Sequence, residues 1–328
     1  MAKTPARSPL LKIAFEAHAM SKDTEASQSN PAIAIIGPGK VGTALAVLAA
    51  RFGGPVAAIG GRDIAKARSS AAAAGPDVLA CNAAEAAALG DLVIIAVTDR
   101  AIGPVCDDLA AARAFRDSSV VAHCSGSLDS SVLHSAKAAC GCHVGSMHPL
   151  QTFPTVGAAI AGLPGAYFFC EGDPKAVQVL QHFAARIAGI PATIQSGQQP
   201  KALYHASAVM ACNYMATLAD SALKLAVEAG MDKRVALEAL GPLMQATIAN
   251  VSSMGPAKAL TGPIARGDID TVARHLQSLA DCGAADEVEE LYRTAGIQTV
   301  ALALEKGTIG KGEAKKLRDL LRPALKER

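Results

Sequence analysis

The sequence lacks tryptophan altogether, and aromatic residues make up only 3% of its 328 residues. So few aromatic side chains argue against a base-stacking surface for nucleic acid. The net charge is nearly balanced, at +2, and gives no reason to expect a polyanionic partner. No apolar run is long enough to span a bilayer, so no membrane partner is predicted either. Hydrophobic residues are plentiful: they make up 51% of the sequence, which is enough for a large core.

The eight cysteines include no C-x-x-C pair, and most of them lie among apolar residues. This usage predicts small buried thiols in a reducing compartment, and we expect a cytoplasmic protein. Cys140, Cys142 and His143 lie close together, but their spacing fits no standard zinc site. Their segment has the pattern of a helix end that enters a strand, and we predict no metal.

A glycine-rich turn follows the apolar run Ala32–Ile36 and precedes a helix-like stretch. Gly37 allows a tight turn, Gly39 lets a diphosphate approach the backbone, and Gly42 lets the helix pack close to the strand. The N–H groups of the helix N-terminus then face the phosphates. This order predicts a dinucleotide site, with a simple packing turn as the alternative. The cofactor-binding candidates are Gly37, Pro38, Gly39, Lys40, Val41 and Gly42.

The residue at the end of the second strand selects between the two pyridine dinucleotides. NAD sites usually place an acidic residue there, about 20 residues after the turn. This sequence has Arg62 instead, with Lys66 one helical turn later, so NADP is favoured over NAD. Asp63 is interpreted as a helix N-cap. Val97 and Thr98 end the fourth strand and should border the cofactor, although Thr98 could equally cap the next helix.

From Pro31 onward, apolar strand runs alternate with alanine-rich helices, which predicts a parallel sheet covered on both faces. After about Ser196 only helical periodicity remains, so an all-helical C-terminal domain should follow. The predicted strands are Ile33–Ile36, Val56–Ile59, Val78–Ala80, Leu92–Val97, Val120–His123, His143–Met147, Ala166–Cys170 and Ala192–Ile194. The main predicted helices are Ile64–Ala73, Ala83–Leu89, Pro174–Ile187, Gln199–Ala229, Lys233–Gln245, Ile269–Cys282, Ala284–Ala295 and Gly312–Leu321. Residues 1–30, polar and proline-containing, are predicted to be a disordered tail.

Four segments carry a resemblance to a known family: His123–Leu128, Gly145–Phe153, Lys201–Ala206 and Leu260–Asp268. Together they resemble the Rossmann-like proteins with a domain of unknown function called DUF2520, which are often labelled NADP oxidoreductases. Ketopantoate reductases, pyrroline-5-carboxylate reductases and β-hydroxyacid dehydrogenases share this architecture. The resemblance covers nearly all of residues 31–328. It implies a Rossmann-like domain over residues 31–196 and a helical domain for substrate binding and dimerisation over residues 197–328.

Catalytic candidates come partly from spacing and partly from the resemblance. Lys201 and His205 lie four residues apart, on one face of a regular helix. In β-hydroxyacid dehydrogenases a Lys at the matching position acts as acid or base, while the relatives have Asn where this chain has His205. His148 and Ser125 match a His and a Ser that contact substrate in prephenate dehydrogenases. The alternatives are a solvated helix-end cation for Lys201 and structural roles for both histidines.

Two further residues are candidates for substrate binding. Asn213 lies two turns beyond His205 on the predicted long helix and could face the substrate or only the helical core. Arg266 could clamp a carboxylate, or it could pair with Asp268. We favour Asp268 as the cap of the helix that begins at Ile269.

These observations favour an NADPH-dependent oxidoreductase that reduces a small oxo or imino acid, ketopantoate-like, by hydride transfer in a cleft between the domains. Lys201, His205 and His148 are the catalytic candidates, and Ser125 is a candidate for contact with both cofactor and substrate. The alternatives are oxidation of a hydroxy or cyclic acid, as in prephenate dehydrogenases, and a regulatory NADP-binding protein without catalysis. A deazaflavin (F420) cofactor also stays open. We expect a homodimer by architecture.

Overall fold

The computed structural model describes residues 30–282 and 286–322. The tail predicted for residues 1–30 lies outside this part of the chain, except for Asn30. Contacts divide the chain into two compact units, Met1–Cys212 and Asn213–Arg328. The sequence predicts its domain boundary earlier, between residues 196 and 197, and that boundary stays a prediction.

The first unit is built on one sheet of eight strands in the order β3-β2-β1-β4-β5-β6-β7-β8. The strands are β1 Ile33–Ile36, β2 Val56–Gly60, β3 Leu79–Cys81, β4 Leu92–Ile95, β5 Val120–His123, β6 His143–Pro149, β7 Tyr167–Gly172 and β8 Ile190–Thr193. Every strand therefore lies within a few residues of its predicted position. The pairs from β3 to β6 are all parallel, so the predicted α/β, Rossmann-type sheet is confirmed.

The sheet departs from an all-parallel arrangement at β7. This strand runs antiparallel to β6, and β8 then pairs parallel to β7. The connection from β6 to β7 does not cross the sheet; it contains only a short helix, Val156–Gly162, that packs against the first helix, Lys40–Arg51. The chain thus re-enters the sheet at the same end of the strands at which β6 left it, so β7 runs in the opposite direction to β6.

The helices of the first unit cover both faces of this sheet, apart from the last, which follows β8. They are α1 Lys40–Arg51, α2 Ile64–Ala74, α3 Ala83–Ala87, α4 Asp99–Ala111, α5 His134–Cys140, α6 Val156–Gly162, α7 Pro174–Arg186 and α8 Gln198–Ala211. Alternate residues of β1 belong to the two cores: Ile33 and Ile35 lie on one side, and Ala34 and Ile36 on the other. A strand buried on both faces has to be apolar at every position, which explains its uninterrupted aliphatic run.

The second unit is helical within the described residues. Its helices are α9 Asn213–Glu228, α10 Lys233–Met254, α11 Pro256–Ala259, α12 Ile269–Asp281, α13 Asp286–Lys306 and α14 Lys311–Leu321. It has an aliphatic core of its own, centred on Val272, Val300 and Leu317. None of the helices that the structure describes, in either unit, is both long and apolar enough to cross a bilayer.

The single helix predicted over Gln199–Ala229 is wrong. It is two helices, α8 and α9, because Cys212 leaves helical geometry at φ −121° and ψ −68°. Cysteine has no strong local preference that would reveal such a break in the sequence. The prediction for Asn213 assumed an uninterrupted helix from His205, so its helical-offset argument no longer applies.

Candidate active site

The glycine turn has the local geometry that the sequence predicts. β1 ends at Ile36, and α1 begins at Lys40. Gly37 has φ +114°, and a Cβ there would lie 2.6 Å from the carbonyl oxygen of Ala96. A Cβ on Gly42 would collide with the carbonyl oxygen of Gly37. Both positions therefore require glycine for the turn itself, independently of any ligand.

Gly39 differs, because the space beside it is open. A Cβ at this position would have one heavy-atom neighbour within 4 Å, the Ala96 oxygen at 3.9 Å. Gly39 is the N-cap of α1, without a side-chain cap, and the first turn contains no acidic residue. The helix N-terminus is thus left uncapped beside an approachable backbone, and this combination fits a diphosphate.

Arg62 lies next to this turn, directly after β2. A Cβ on the preceding Gly61 would lie 2.7 Å from the ring of Pro38, so the end of β2 touches the glycine turn. Arg62 is exposed and forms no ion pair with any described residue. Lys66, in contrast, pairs with Asp63 at 3.4 Å. Asp63 also accepts a hydrogen bond from the Lys66 N–H, which confirms it as the N-cap of α2.

The end of β4 connects the glycine turn to a second group of polar residues. A Cβ on Gly37 would lie 3.0 Å from Cγ1 of Val97, so Val97 borders the turn, and its predicted contact with the cofactor stays a prediction. Thr98 is the N-cap residue of α4 by backbone position, but its side chain makes no capping hydrogen bond. The next residue, Asp99, accepts hydrogen bonds from the hydroxyls of Ser125 and Ser127, each at 2.7 Å.

The loop Ser125–Ser127 is fixed by hydrogen bonds on several sides. Besides donating to Asp99, the Ser125 hydroxyl accepts from the backbone N–H groups of Ser127 and Leu128, both at 3.1 Å. The Ser125 N–H donates to Nδ1 of His123 at 3.1 Å. The hydroxyl is therefore largely occupied inside its own loop. The predicted contacts of Ser125 with cofactor and substrate stay predictions.

His123 is fully buried at the end of the apolar strand β5. Its Nε2 lies 3.1 Å from the backbone oxygen of Asp129, and its Nδ1 accepts from Ser125. These two bonds assign the neutral tautomer with the proton on Nε2. Burial lowers the pKa of His123 to about 4. This histidine therefore supports the loop and does not face a ligand.

Lys201 lies in the first turn of α8 and has no exposed surface, so the interpretation as a solvated helix-end cation is wrong. Its Nζ donates to the backbone oxygen of Ser125 at 3.0 Å and to Oγ of Ser146 at 2.9 Å. It makes no ion pair with a described carboxylate. Burial lowers the pKa of Lys201, and the negative charge of Glu171 partly opposes this. The amine thus ties α8 to the ends of β5 and β6.

β6 extends beyond its neighbour, and this places His148. His123, the last residue of β5, is level with Ser146, so three residues of β6 extend past the end of β5. Nδ1 of His148 lies 2.7 Å from the phenolic oxygen of Tyr204 on α8. Burial, followed by the positive charge of Lys201, lowers the pKa of His148 to about 4. Burial raises the pKa of Tyr204.

His205 faces the same point as His148. A Cβ on Gly126 would lie 2.7 Å from Nδ1 of His205 and 2.9 Å from Nε2 of His148. The two ring planes are nearly perpendicular, with centroids 6.1 Å apart. Nδ1 of His205 is buried and has no hydrogen-bond partner among the described residues. A buried polar atom without a partner is costly, and this one marks a position where a ligand atom would be stabilised.

The remaining candidates, Asn213 and Arg266, belong to the second unit. Both are exposed, and their predicted contacts with substrate stay predictions. The alternative pairing of Arg266 with Asp268 is not observed. Asp268 instead accepts hydrogen bonds from the N–H and the hydroxyl of Thr271, and so caps α12 as predicted.

Sequence reasoning missed the residues that organise the site: Asp99, Gly126 and Tyr204. Tyr204 lies three residues after Lys201 and one before His205, so helical spacing alone could have placed it on the same side of α8. Asp99 lies 26 residues from Ser125 in the sequence. No local pattern connects them, and only the adjacency of β4 and β5 brings them together.

Comparisons with known proteins agree with this architecture. Residues 18–149 match the family described as a Rossmann-like domain, and residues 166–299 match the domain of unknown function DUF2520. The resemblance inferred from the four sequence segments is thereby confirmed. The DUF2520 match extends from residue 166 to residue 299 and therefore includes α8 with Lys201, Tyr204 and His205. No protein of curated function matches the sequence.

Three solved structures illustrate the similarity. A proposed NADP oxidoreductase from Bacteroides fragilis is 24% identical, with a TM-score of 0.63 over 81% of this chain and 97% of its own. A protein from Thermotoga maritima is also 24% identical, with a TM-score of 0.66 over 83% and 99%. A reductive aminase from Aspergillus terreus, in complex with NADPH and ethyl-5-oxohexanoate, is 18% identical, with a TM-score of 0.60 over 90% and 100%. At these identities the likeness establishes the fold.

Proposed function

Because the chain joins a Rossmann-like domain to a DUF2520 domain, we propose that it is an NADPH-dependent oxidoreductase that reduces a small oxo or imino acid. The observation that carries the proposal is the unpartnered Nδ1 of His205, which faces the same point as Nε2 of His148. This point lies along the sheet edge that also holds the glycine turn. In open parallel sheets, ligands bind beyond the carboxyl ends of the strands.

The residues at the turn fit the cofactor. The N–H groups at the start of α1 and the open backbone at Gly39 would hold the diphosphate. The guanidinium of Arg62 would pair with the 2′-phosphate that distinguishes NADP from NAD. When bound, the reduced nicotinamide supplies the hydride. The complex of the similarly folded reductive aminase with NADPH supports this cofactor.

His205 is the residue that we assign to proton transfer. As the substrate is reduced, its oxygen or nitrogen gains the electron pair of the π bond and would take a proton from Nδ1 of His205. His148 is neutral near neutral pH, since burial lowers its pKa to about 4, and it therefore contributes a hydrogen bond and not a proton. Lys201 has no exposed surface and acts through the Ser125 loop.

The substrate class follows from what surrounds the two imidazoles. The floor is a glycine, Gly126, whose Cα could not carry even a methyl group without contact with both rings. So little room beside the two nitrogens excludes a bulky reacting group and favours a small one. The ester of an oxo acid bound to the reductive aminase from Aspergillus terreus supports an oxo compound, with its imine as the nitrogen counterpart.

The test uses the full chain and begins with calorimetric titration of NADPH and NADH. Loss of NADPH absorbance is then followed with a panel of oxo acids, with and without ammonium, and with cyclic imines. We expect turnover with at least one member, and we expect His205→Ala to reduce kcat about 100-fold, the usual contribution of a general acid. His275→Ala, which changes an exposed histidine of the second unit, is the matched control and should retain activity.

Two results would contradict the proposal. If neither nucleotide binds to folded protein, the dinucleotide site is wrong. If NADPH binds tightly but no substrate in the panel is reduced, a regulatory NADP-binding protein becomes the better interpretation. If turnover occurs and His205→Ala retains it, the assignment of the proton donor fails while the reaction class stands.

A further inference from the structure

His148 and Tyr204 form a close pair. The direction of the hydrogen bond between them determines whether Nε2 of His148 donates to a ligand or accepts from it. Nδ1 and the phenolic oxygen are 2.7 Å apart, and the rings meet edge to face with centroids 5.5 Å apart. Either group could donate in this bond. If the phenol donates, the imidazole proton is on Nε2; if the imidazole donates, Nε2 is a bare acceptor.

The surroundings favour the phenol as donor. The phenolic oxygen of Tyr204 has no other hydrogen-bond partner among the described residues, so its hydrogen would lack an acceptor if Nδ1 of His148 donated. Burial raises the pKa of Tyr204, so the phenol keeps its proton. Burial lowers the pKa of His148, so the ring is neutral and has only one N–H to place.

We propose that Tyr204 donates its phenolic hydrogen to Nδ1 of His148 and so holds this imidazole in the neutral form protonated at Nε2. Tyr204 is then a positioning residue, because it acts on a ligand only through His148. Nε2 of His148 and Nδ1 of His205 then both lie beside Gly126, 2.9 and 2.7 Å from the position that a Cβ on this glycine would take. A donor nitrogen on His148 and a buried nitrogen without a partner on His205 thus lie on the same side of Gly126, where one ligand atom that reached both could bridge them.

The direction of the Tyr204–His148 hydrogen bond specifies which ligand group can continue the chain of hydrogen bonds. A ligand oxygen or nitrogen within hydrogen-bond distance of both rings would accept from Nε2–H of His148. Once protonated, it would donate to Nδ1 of His205. A hydroxyl or amino group satisfies both requirements, whereas a methyl group or a bare cation satisfies neither. The kinetic consequence rests on the proposed function; the protonation pattern of His148 does not.

Several charged or titratable groups face His148 and enter the interpretation of any titration. They are Lys201, Tyr204 and His205 on α8, Asp99 at the start of α4 and His123 at the end of β5. Lys201, His205 and His123 disfavour the imidazolium, and Asp99 favours it. The net effect keeps His148 neutral across the physiological pH range.

The direct test is the nitrogen NMR spectrum of the full chain labelled with 15N-histidine, recorded near neutral pH. We expect Nδ1 of His148 to resonate as an unprotonated nitrogen and Nε2 as a protonated one, with assignment from the spectrum of His148→Gln. The opposite pattern, or fast averaging between the two tautomers, overturns the proposal. This measurement requires no substrate and no substitution at Tyr204.

Tyr204→Phe removes only the hydroxyl and provides the second measurement. We expect the two His148 nitrogens to shift toward averaged values, because the constraint on the tautomer is lost. Tyr292→Phe is the matched control, since Tyr292 forms the same kind of pair with Nδ1 of His275, at 2.8 Å, within the second unit. It should change the His275 signals and leave those of His148 unchanged. Unchanged His148 signals in folded Tyr204→Phe contradict the proposal.

Kinetics adds a readout that separates this inference from the proposed function. With a substrate identified, Tyr204→Phe should lower kcat about tenfold, the effect of one misplaced hydrogen bond, while NADPH affinity is unchanged. Failure to find any turnover would count against the proposed function alone, because the tautomer measurement stands without it. A correct tautomer combined with undiminished kcat in Tyr204→Phe would overturn the assigned effect on the ligand.

Discussion

At the scale of single residues, the exposed cation beside the glycine turn is the most informative side chain of the cofactor half of the site. Arg62 directly follows Gly61, which touches Pro38 of the turn. Its neighbour Lys66 is engaged by Asp63 both at the backbone and at the side chain. Between these two side chains, Arg62 is therefore the one without an ion-pair partner among the described residues, and it is available to an anionic group of the nucleotide.

We predict that Arg62→Ala weakens NADPH binding about 10- to 100-fold, because a charge-assisted hydrogen bond contributes about 1.5 to 3 kcal/mol. NADH, which lacks the 2′-phosphate, should bind equally to wild type and variant. Arg68→Ala, at an exposed position of the helix that follows Arg62, α2, is the control and should leave both affinities unchanged. Calorimetric titration of both nucleotides checks this, and equal losses for NADPH and NADH would contradict it.

Single residues also show where sequence interpretation reached its limit. Asp63 and Asp268 were identified as caps because an N-cap depends on neighbours three positions away, and both bonds are observed. Lys201 was placed correctly on its helix, but its complete burial was not foreseen. Its partners, Ser125 in the loop after β5 and Ser146 in β6, are far away in the sequence, and no local pattern encodes contacts between distant segments.

At the scale of elements, the turn between β1 and α1 contains glycines with different requirements. Gly42 packs α1 against the turn, where the carbonyl oxygen of Gly37 leaves no room for a methyl group. Gly39 has open space beside it, with its nearest neighbour at 3.9 Å. The two glycines therefore separate the structural contribution of the motif from its ligand-binding contribution.

We predict that Gly42→Ala destabilises the fold by about 1 to 3 kcal/mol, the usual cost of overpacking. Gly39→Ala should leave the free energy of unfolding within about 0.5 kcal/mol of wild type, as for substitutions away from packed features. It should nevertheless reduce NADPH affinity, because its methyl group occupies the path of the diphosphate. Urea unfolding followed by circular dichroism, together with calorimetry, measures both effects. Normal NADPH affinity in Gly39→Ala would contradict a diphosphate at this turn.

The elements differ in how well the sequence predicts them. Buried strands such as β1 and β5 are found at their predicted bounds because an unbroken aliphatic run is a strong signal. The direction of β7 was not predictable, since it depends on where α6 packs and not on the composition of β7. The break at Cys212 left no signal either, because neither glycine nor proline marks it.

At the scale of the whole molecule, each of the two units has its own core, and the candidate catalytic residues Lys201, His205 and His148 all lie in the first unit. In the second unit, α10 buries only Ala236 among its 22 residues. Exposed Leu237 and Leu243 give this helix apolar surface, and the predicted homodimer stays a prediction.

Two buried histidines should make the first unit sensitive to acid. The pKa values of His123 and His148 are lowered from 6.5 to about 4, so the unfolded chain binds more protons than the folded chain between these values. Stability is therefore complete above pH 6.5 and is lost as the pH falls toward 4. For the fully buried His123, the loss is on the order of 3 kcal/mol.

Urea unfolding at a series of pH values between about 7 and 4 checks this prediction through linkage. His148→Gln should reduce the dependence of stability on pH, because one of the two proton-binding differences is removed. His182→Gln, at an exposed position, should leave the dependence unchanged. A free energy of unfolding that stays constant over this range would contradict neutral burial of the two imidazoles.

The hydrogen bonds around the Ser125–Ser127 loop have a consequence for selectivity. Asp99, His123 and Lys201 hold this loop from three directions before any ligand arrives. A rigid site cannot change its shape to fit a larger ligand. It therefore selects ligands by steric exclusion and not by induced fit. Bulky homologues of the true substrate should therefore be poor inhibitors as well as poor substrates, and association should proceed in one kinetic phase without a slow closing step.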